Sequence, residues 1–172
     1  MFVGKNFTVL DAACGTGYGS YILSKKSHKV ISVDSSKHAI FSCKKNFKSK
    51  NINFIKKNIL DLKYKNKFDL IVSLETIEHV KKKDAIEWIK KCSYMLKKNG
   101  VLVCSSPLLR IRNNKPFITN PHHLHEMKKN EFFKIISKYF KKETICSFIQ
   151  KDNQLIPIFK ENEGLSIIVV RK

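Results

Sequence analysis

Glu75, Glu78 and His79 are spaced i, i+3, i+4, so a helical turn there sets two carboxylates and an imidazole on one side of the chain. Such a group can take a proton from a bound hydroxyl or amine. It can equally supply three ligands to a divalent metal, with a fourth from the segment Asn120-Pro121-His122-His123-Leu124-His125-Glu126. Mixed oxygen and nitrogen ligation suits Mn²⁺, Fe²⁺ or Co²⁺ better than Mg²⁺. The plainer structural reading has the Glu-His pair locking the start of a helix against neighbouring backbone, with His122 and His125 as solvent-exposed loop residues.

A second group lies near the amino end, in V-L-D-A-A-C-G-T-G-Y-G-S from Val9 to Ser20. Gly15 and Gly17 let the backbone approach a ligand and take angles that a side chain forbids. The helix that follows offers free N–H groups and a positive dipole end to an anion. Asp34, closing the next apolar run, can accept hydrogen bonds from two ribose hydroxyls. The arrangement reads as a cofactor seat. The dinucleotide fingerprint G-x-G-x-x-G is not matched by Gly15-Thr16-Gly17-Tyr18-Gly19-Ser20.

These residues need a frame, and apolar runs alternating with helical stretches supply one, the pattern of a sheet wrapped by helices. Strands are expected at Phe7–Ala12, Val30–Val33, Ile52–Ile55, Phe68–Leu74 and Val101–Ser105. Helices are expected at Tyr18–Lys26, from a cap at Ser35 or Ser36 to Phe47, at Lys83–Leu96 with Asn99-Gly100 as its stop, and at Lys129–Tyr139. Two closing strands, near Glu143–Gln150 and Leu165–Val170, are separated by a polar insertion without a helical pattern, which predicts an antiparallel pair. Pro107–Met127 reads as a long irregular loop, partly apolar through Leu108, Leu109, Ile111, Phe117 and Ile118, and placed to cover a substrate. Arg110 and Arg112 in it are either phosphate or carboxylate contacts or a solvated pair.

The chain has 172 residues with 34 Lys plus Arg against 14 Asp plus Glu, a net charge of +20. Its length fits one domain spanning 1–172, and 42% hydrophobic residues exclude wholesale disorder. The charge suggests a polyanion, but 31 of the 34 cations are Lys, whereas nucleic-acid readers favour the guanidinium fork. Solvated lysines, including Lys81-Lys82-Lys83, are the favoured reading and nucleic acid the second. No run reaches the roughly 18 apolar residues of a membrane span, and Met1–Leu10 carries no leader pattern, so a cytoplasmic location is expected. Five widely spaced cysteines without a C-x-x-C pair indicate neither a disulfide framework nor a zinc knuckle.

With these motifs in order, the chain resembles the class I S-adenosylmethionine-dependent methyltransferases. The match rests on V-L-D-A-A-C-G-T-G, on Val33-Asp34, on N-I-L-D at Asn58–Asp61, on F-D-L-I-V-S-L-E-T-I-E-H-V from Phe68 to Val80, and on M-L-K-K-N-G-V-L-V-C-S-S-P from Met95 to Pro107. The resemblance implies an α/β, Rossmann-like, doubly wound and mostly parallel seven-stranded sheet of order 3-2-1-4-5-7-6, its last strand antiparallel. It implies S-adenosylmethionine as cofactor. Asp11, Gly15 and Gly17 then fall on the methionine part, Asp34 on the ribose, Ile59 and Asp61 on the adenine, and Leu74 and Glu75 near the sulfur.

Two departures stand out. Ala13 occupies a position where the family often has glycine, and about six residues precede the first strand where the family carries helices that roof the pocket. For catalysis the candidate bases are His123, His79 and Glu78. The N-P-x-H-x-x-E pattern of Asn120, Pro121, His123 and Glu126 is similar to small-molecule enzymes acting on sugars or lipid precursors, with His123 as base. E-x-x-E-H with a distant His resembles the metal-dependent enzymes that methylate the 3′-terminal ribose of small RNAs, which would make Glu75, Glu78, His79 and His123 ligands. The expected activity is O-methylation of a small molecule. RNA methylation and an inactive, partner-dependent cofactor-binding subunit are the alternatives.

Overall fold

Apolar side chains on both sides of each run force the strands into the middle of the molecule. Val9, Val30, Leu70, Val101 and Val169 cluster on one face of the sheet, while Leu10, Ile31, Ile71, Leu102 and Ile168 cluster on the other. A computed structural model describes residues 3–118, 120–142, 146–151, 154–157 and 164–172. Its elements run β1 (Thr8–Ala12), α1 (Tyr18–Ser24), β2 (Lys29–Asp34), α2 (Lys37–Asn46), β3 (Ile52–Lys56), β4 (Phe68–Ser73) and α3 (Lys82–Met95). There follow β5 (Leu96–Leu108), β6 (Arg110–Arg112), β7 (Lys115–Phe117), α4 (Lys129–Ile136), β8 (Cys146–Lys151), β9 (Gln154–Pro157) and β10 (Gly164–Arg171). Single 3-10 turns lie at Ile59–Asp61 and Ile77–His79.

The main sheet has the order β3-β2-β1-β4-β5-β10-β8-β9. β3, β2, β1, β4 and β5 pair in parallel, and β10 runs antiparallel between β5 and β8. The expected order and the antiparallel closing pair are therefore present. The strand count differs: the sheet has eight strands rather than seven, because β9 folds back on β8 as an edge strand within the stretch read as a polar insertion. The expected beginning of that last pair, at residues 143–145, lies outside the described residues.

Other differences are local. α3 ends at Met95, one residue before the expected Leu96, and Leu96 already pairs with Phe68. The next matched pair is Leu70 with Val101, so Lys97–Gly100 bulges out, with Asn99 at φ 64°. β5 continues to Leu108, and the loop expected from Pro107 onward contains the exposed β6–β7 hairpin. Lys82 is not simply solvated, since its ammonium pairs with Glu131 of α4.

Helices α3 and α4 cover the face that holds Leu10 and Ile71. Trp88 of α3 is fully buried there and its Nε1–H donates to Ser73 Oγ at 3.0 Å, which fixes the helix against the end of β4. Leu23 of α1 packs on the opposite face, and Ile40 and Cys43 of α2 pack on Phe54 of β3. On the β4–β5 half of that face Val72 and Val103 remain half-buried. Among the described residues no helix is long and apolar enough to cross a membrane. The strand order reverses between β1 and β4, and in open α/β sheets ligands bind beyond the carboxyl ends of the strands at that point.

Candidate functional site

The glycine turn leaves β1 directly at that reversal. Ala13, Gly15 and Gly17 take positive φ values of 58°, 52° and 85° at alternate positions, which curls the backbone tightly before α1 begins. A Cβ on Gly17 would lie 2.7 Å from Cys43 Sγ, so no side chain fits there, whereas the same construction at Gly15 meets nothing within 4 Å and faces open space. Asp34 holds the turn from β2: Oδ2 accepts from Gly15 N–H at 3.0 Å and Oδ1 from Ser36 N–H at 2.8 Å. Ser36, one of the two expected caps, accepts from Ala39 N–H and starts α2.

Asp11 lies beneath the turn, buried, accepting from Ser20 Oγ at 2.6 Å, and burial pushes its carboxyl up to about 6. Burial also pushes the Cys14 thiol well up and the Cys43 thiol up, so both act as packing groups and not as nucleophiles. Beyond the turn opens a cleft of about 200 Å³ lined by Ala13, Ser35, Asn58, Ile59, Glu75 and His79 among others. A larger cavity, of about 270 Å³, lies at the other end of the strands beside Val3, Asp69 and Gly100, away from these groups.

Of the adenine pair, Ile59 is buried and lines the cleft, while Asp61 is exposed at the end of the same 3-10 turn. Asn58 caps that turn, accepting from Leu60 N–H at 2.9 Å. Leu74 and Glu75 leave the end of β4 exposed, and Glu75 has φ 49°, a strained angle for a residue with a Cβ. Ser105 of β5 holds it: its Oγ accepts from Glu75 N–H at 2.9 Å and donates to Glu75 Oε1 at 2.7 Å. Nothing in the sequence marked Ser105, because its partner is thirty positions away on the neighbouring strand.

The turn at Ile77–His79 brings the other acid inward. Glu78 is fully buried, and burial pushes its carboxyl up to about 7, with Glu75 adding to the rise and Ser106 and His123 opposing it. Loop 120–126 docks on this turn through Leu124 N–H, which donates to the Glu78 carbonyl at 2.8 Å. Glu78, His79 and His123 thereby converge, with one ligand-type atom from each lying within 4.8 Å of the others. Glu75 is not in this group. The His79 and His123 rings meet edge-on, centroids 4.9 Å apart.

Hydrogen bonds assign the His123 protons. Nδ1 lies 2.8 Å from Glu126 Oε1. Asn120 Oδ1 accepts from His122 N–H, so its Nδ2 is the atom 3.0 Å from His123 Nε2. Nδ1 therefore carries the proton and Nε2 the lone pair. His122 is exposed as expected. His125 is not: its ring nitrogens are buried, and burial lowers its basicity. Arg110 and Arg112 stand on the exposed hairpin, with Arg112 over the Phe117 ring at 5.7 Å.

The arrangement has counterparts in known proteins. Residues 4–163 match the methyltransferase domain family. Over 102 residues the chain is 37% identical to the ubiquinone biosynthesis O-methyltransferase of Pelagibacter ubique, covering 57% of this chain and 41% of that protein. It is 25% identical over 130 residues to a Mycobacterium tuberculosis protein named a probable S-adenosylmethionine-dependent methyltransferase, covering 74% and 46%. The chain thus spans less than half the length of these curated relatives. Among solved structures, an S-adenosylmethionine-dependent methyltransferase from Archaeoglobus fulgidus shares the fold with a TM-score of 0.75 at 18% identity, over 99% of this chain and 88% of that one. The family match over nearly the whole length, the strand order and the glycine turn at the strand reversal agree: the chain belongs to the class I S-adenosylmethionine-dependent methyltransferases.

Proposed function

We propose that this protein methylates an oxygen of a small molecule, using S-adenosylmethionine. The observation that carries the reading is the convergence of Glu78, His79 and His123 at the mouth of β4, beside the cleft that starts at the glycine turn. That cleft fits the cofactor in its chemistry. Open space at Gly15 leaves room for the amino-acid tail, Asp34 retains lone pairs for a ribose, and Ile59 offers an apolar wall to a base. Asp11, Asp34, Glu75 and Glu78 make this end of a strongly basic chain locally acidic, which favours a cationic sulfonium.

Bound there, S-adenosylmethionine supplies an electrophilic methyl group, and its transfer to a hydroxyl requires that the acceptor's proton be removed. The chain provides for that removal at the Glu78–His79–His123 group, where the His123 Nε2 lone pair is fixed in place by Glu126 behind it. Rigid placement of both partners contributes about 7 to 11 kcal/mol to such displacements. The names of the ubiquinone-biosynthesis relatives support oxygen of a small molecule as the acceptor. The exposed β6–β7 hairpin, with Ile111 and Phe117, is the element nearest in sequence that can close over an apolar acceptor.

The test is to incubate the protein with methyl-labelled S-adenosylmethionine and a metabolite extract, with total RNA in a parallel reaction. Label in an organic-soluble, alkali-stable ether supports the proposal. Label confined to RNA, or cofactor binding with no label in any acceptor, overturns it in favour of the RNA-terminal or the inactive-subunit reading.

A further inference from the structure

We propose that the end of the sheet where the parallel strands begin is a docking face for an anionic phospholipid membrane surface, which holds the protein with its cofactor cleft turned away from the lipid. The distribution of charge argues for it first. Segments 3–7, 25–29, 44–51, 64–69, 97–100, 137–142 and 171–172 gather at this end, around the starts of β1 to β5, the ends of α1, α2 and α4, and the close of β10. Backbone bonds tie them together, among them Lys141 N–H to the Arg171 carbonyl at 3.2 Å and Lys172 N–H to the Gly100 carbonyl at 3.0 Å. Every one of these segments carries Lys or Arg, and Asp69 is their only acidic side chain. Lys97 neutralises that acid, its Nζ 2.9 and 2.8 Å from the two carboxylate oxygens.

The cofactor end carries Asp11, Asp34, Glu75 and Glu78 instead, so charge is sorted along the strand direction. Solvation alone scatters lysines over both ends. Helix dipoles draw cations to the ends of α1, α2 and α4. They do not account for Lys5, Lys65 and Lys67, which precede strands, or for Lys98 on the bulge of β5, and all four are exposed.

Shape and chemistry select a bilayer over a nucleic acid. β3 and β10 stand five strand spacings apart, about 24 Å at about 4.8 Å each, and the helix ends add cations on both faces of the sheet. The charge therefore covers an area and not a stripe. A recess of about 550 Å³ within it, lined by Asn66, Lys97, Lys98, Lys141 and Lys172, has room for a phosphodiester headgroup. Arg171 is the only guanidinium on these segments, and an ammonium acts on a headgroup layer as a point charge that needs no fork geometry. The ammonium groups of Lys25, Lys67 and Lys65 lie over the rings of Tyr21, Tyr64 and Tyr94, at 4.3, 4.3 and 5.8 Å from the centroids. Phe47 and Phe68 also pack on the Tyr21 and Tyr64 rings, at 5.2 and 5.1 Å. Rings so engaged do not serve as stacking platforms for the bases of a single strand, whereas tyrosine beside lysine suits the boundary between headgroups and water.

The experiment is sedimentation of the protein with vesicles of phosphatidylcholine mixed with phosphatidylglycerol, beside vesicles of phosphatidylcholine alone. Binding to the mixed vesicles only is expected, weakening steeply as salt rises. A cation near such a surface contributes about fivefold in affinity, so the triple variant Lys48→Ala, Lys50→Ala, Lys98→Ala should bind about 100-fold more weakly. The triple variant Lys37→Ala, Lys81→Ala, Lys83→Ala, which removes equal charge outside this face, should bind as the wild type does. No binding to the mixed vesicles, or equal affinities of the two triple variants, overturns the proposal. Mixed-sequence RNA is added as competitor and should displace the protein only in excess over lipid phosphate. Displacement by less RNA phosphate than lipid phosphate overturns the proposal in favour of a nucleic-acid face. Affinity for S-adenosylmethionine should be equal with and without the mixed vesicles, and its loss on them overturns the orientation.

Discussion

His123 Nδ1 and Glu126 Oε1 lie 2.8 Å apart, and neither side chain is more than a tenth exposed, at 9% and 3%. Two residues of one loop thus build a carboxylate–imidazole pair that fixes which nitrogen keeps its lone pair. Replacing Glu126 by Gln preserves the shape but no longer selects the tautomer, because an amide can donate as well as accept. Turnover of Glu126→Gln should fall about 10- to 100-fold with S-adenosylmethionine affinity unchanged. Steady-state kinetics beside cofactor titration checks this, and a loss of cofactor affinity of the same size counts against the assignment.

Buried acids make stability depend on pH in an uncommon direction. Glu78 has its ordinary value of 4.5 raised to about 7, and Asp11 its 3.8 to about 6. The folded state thus holds protons that the unfolded state has released, and the contribution is complete below the unfolded values and is lost as pH rises through the folded ones. In chelator-treated protein, Glu78→Gln should therefore gain stability over wild type between pH 5 and 8, by on the order of 3 kcal/mol for a rise from 4.5 to about 7. Urea denaturation at several pH values measures it; a difference that does not grow with pH refutes the burial argument.

Ala13 has φ 58° in the glycine turn, where a Cβ crowds the following carbonyl. Ala13→Gly removes that crowding without altering the path of the backbone. The substitution should stabilise the protein by about 1 kcal/mol, seen as a higher melting temperature, with cofactor affinity equal or better. A lower melting temperature would mean that the Ala13 methyl makes packing contacts worth more than the strain.

Asp34 joins the turn to α2 through two backbone N–H groups and keeps further carboxylate lone pairs for a ligand. Asp34→Asn should weaken binding of S-adenosylmethionine and of its demethylated product alike, since both carry the ribose. A charged hydrogen bond is worth about 1.5 to 3 kcal/mol, so calorimetry should find a loss of about 10- to 100-fold. Equal affinity for wild type and variant contradicts the ribose placement.

Much of this site was legible in the sequence because its pieces are local. The glycine turn, Asp34 and the Ser36 cap follow one another along β1, β2 and α2, and each is dictated by nearest-neighbour geometry. The strands were legible from apolar runs, and their order came with the family resemblance. β9 was not, because an edge strand buries little and lacks a strong apolar signal. The end of α3 was legible to within one residue, but the direct run from the helix into β5 was not, because the pairing of Leu96 with Phe68 is a contact between distant segments.

By itself, then, the sequence determined the residue types, the existence of the glycine turn and the carboxylates at the strand ends, all of which depend on a few adjacent residues. Only the tertiary structure decided which of them meet. It excluded Glu75 from the metal-type group by giving its carboxylate to Ser105, and it joined Glu78 and His79 to His123 across more than forty positions. It also drew the His125 ring nitrogens out of water. The meeting of Glu78 and His79 with His123 depends on how a loop docks, in part through the backbone hydrogen bond from Leu124 to Glu78, and spacing along a chain carries no record of such a contact.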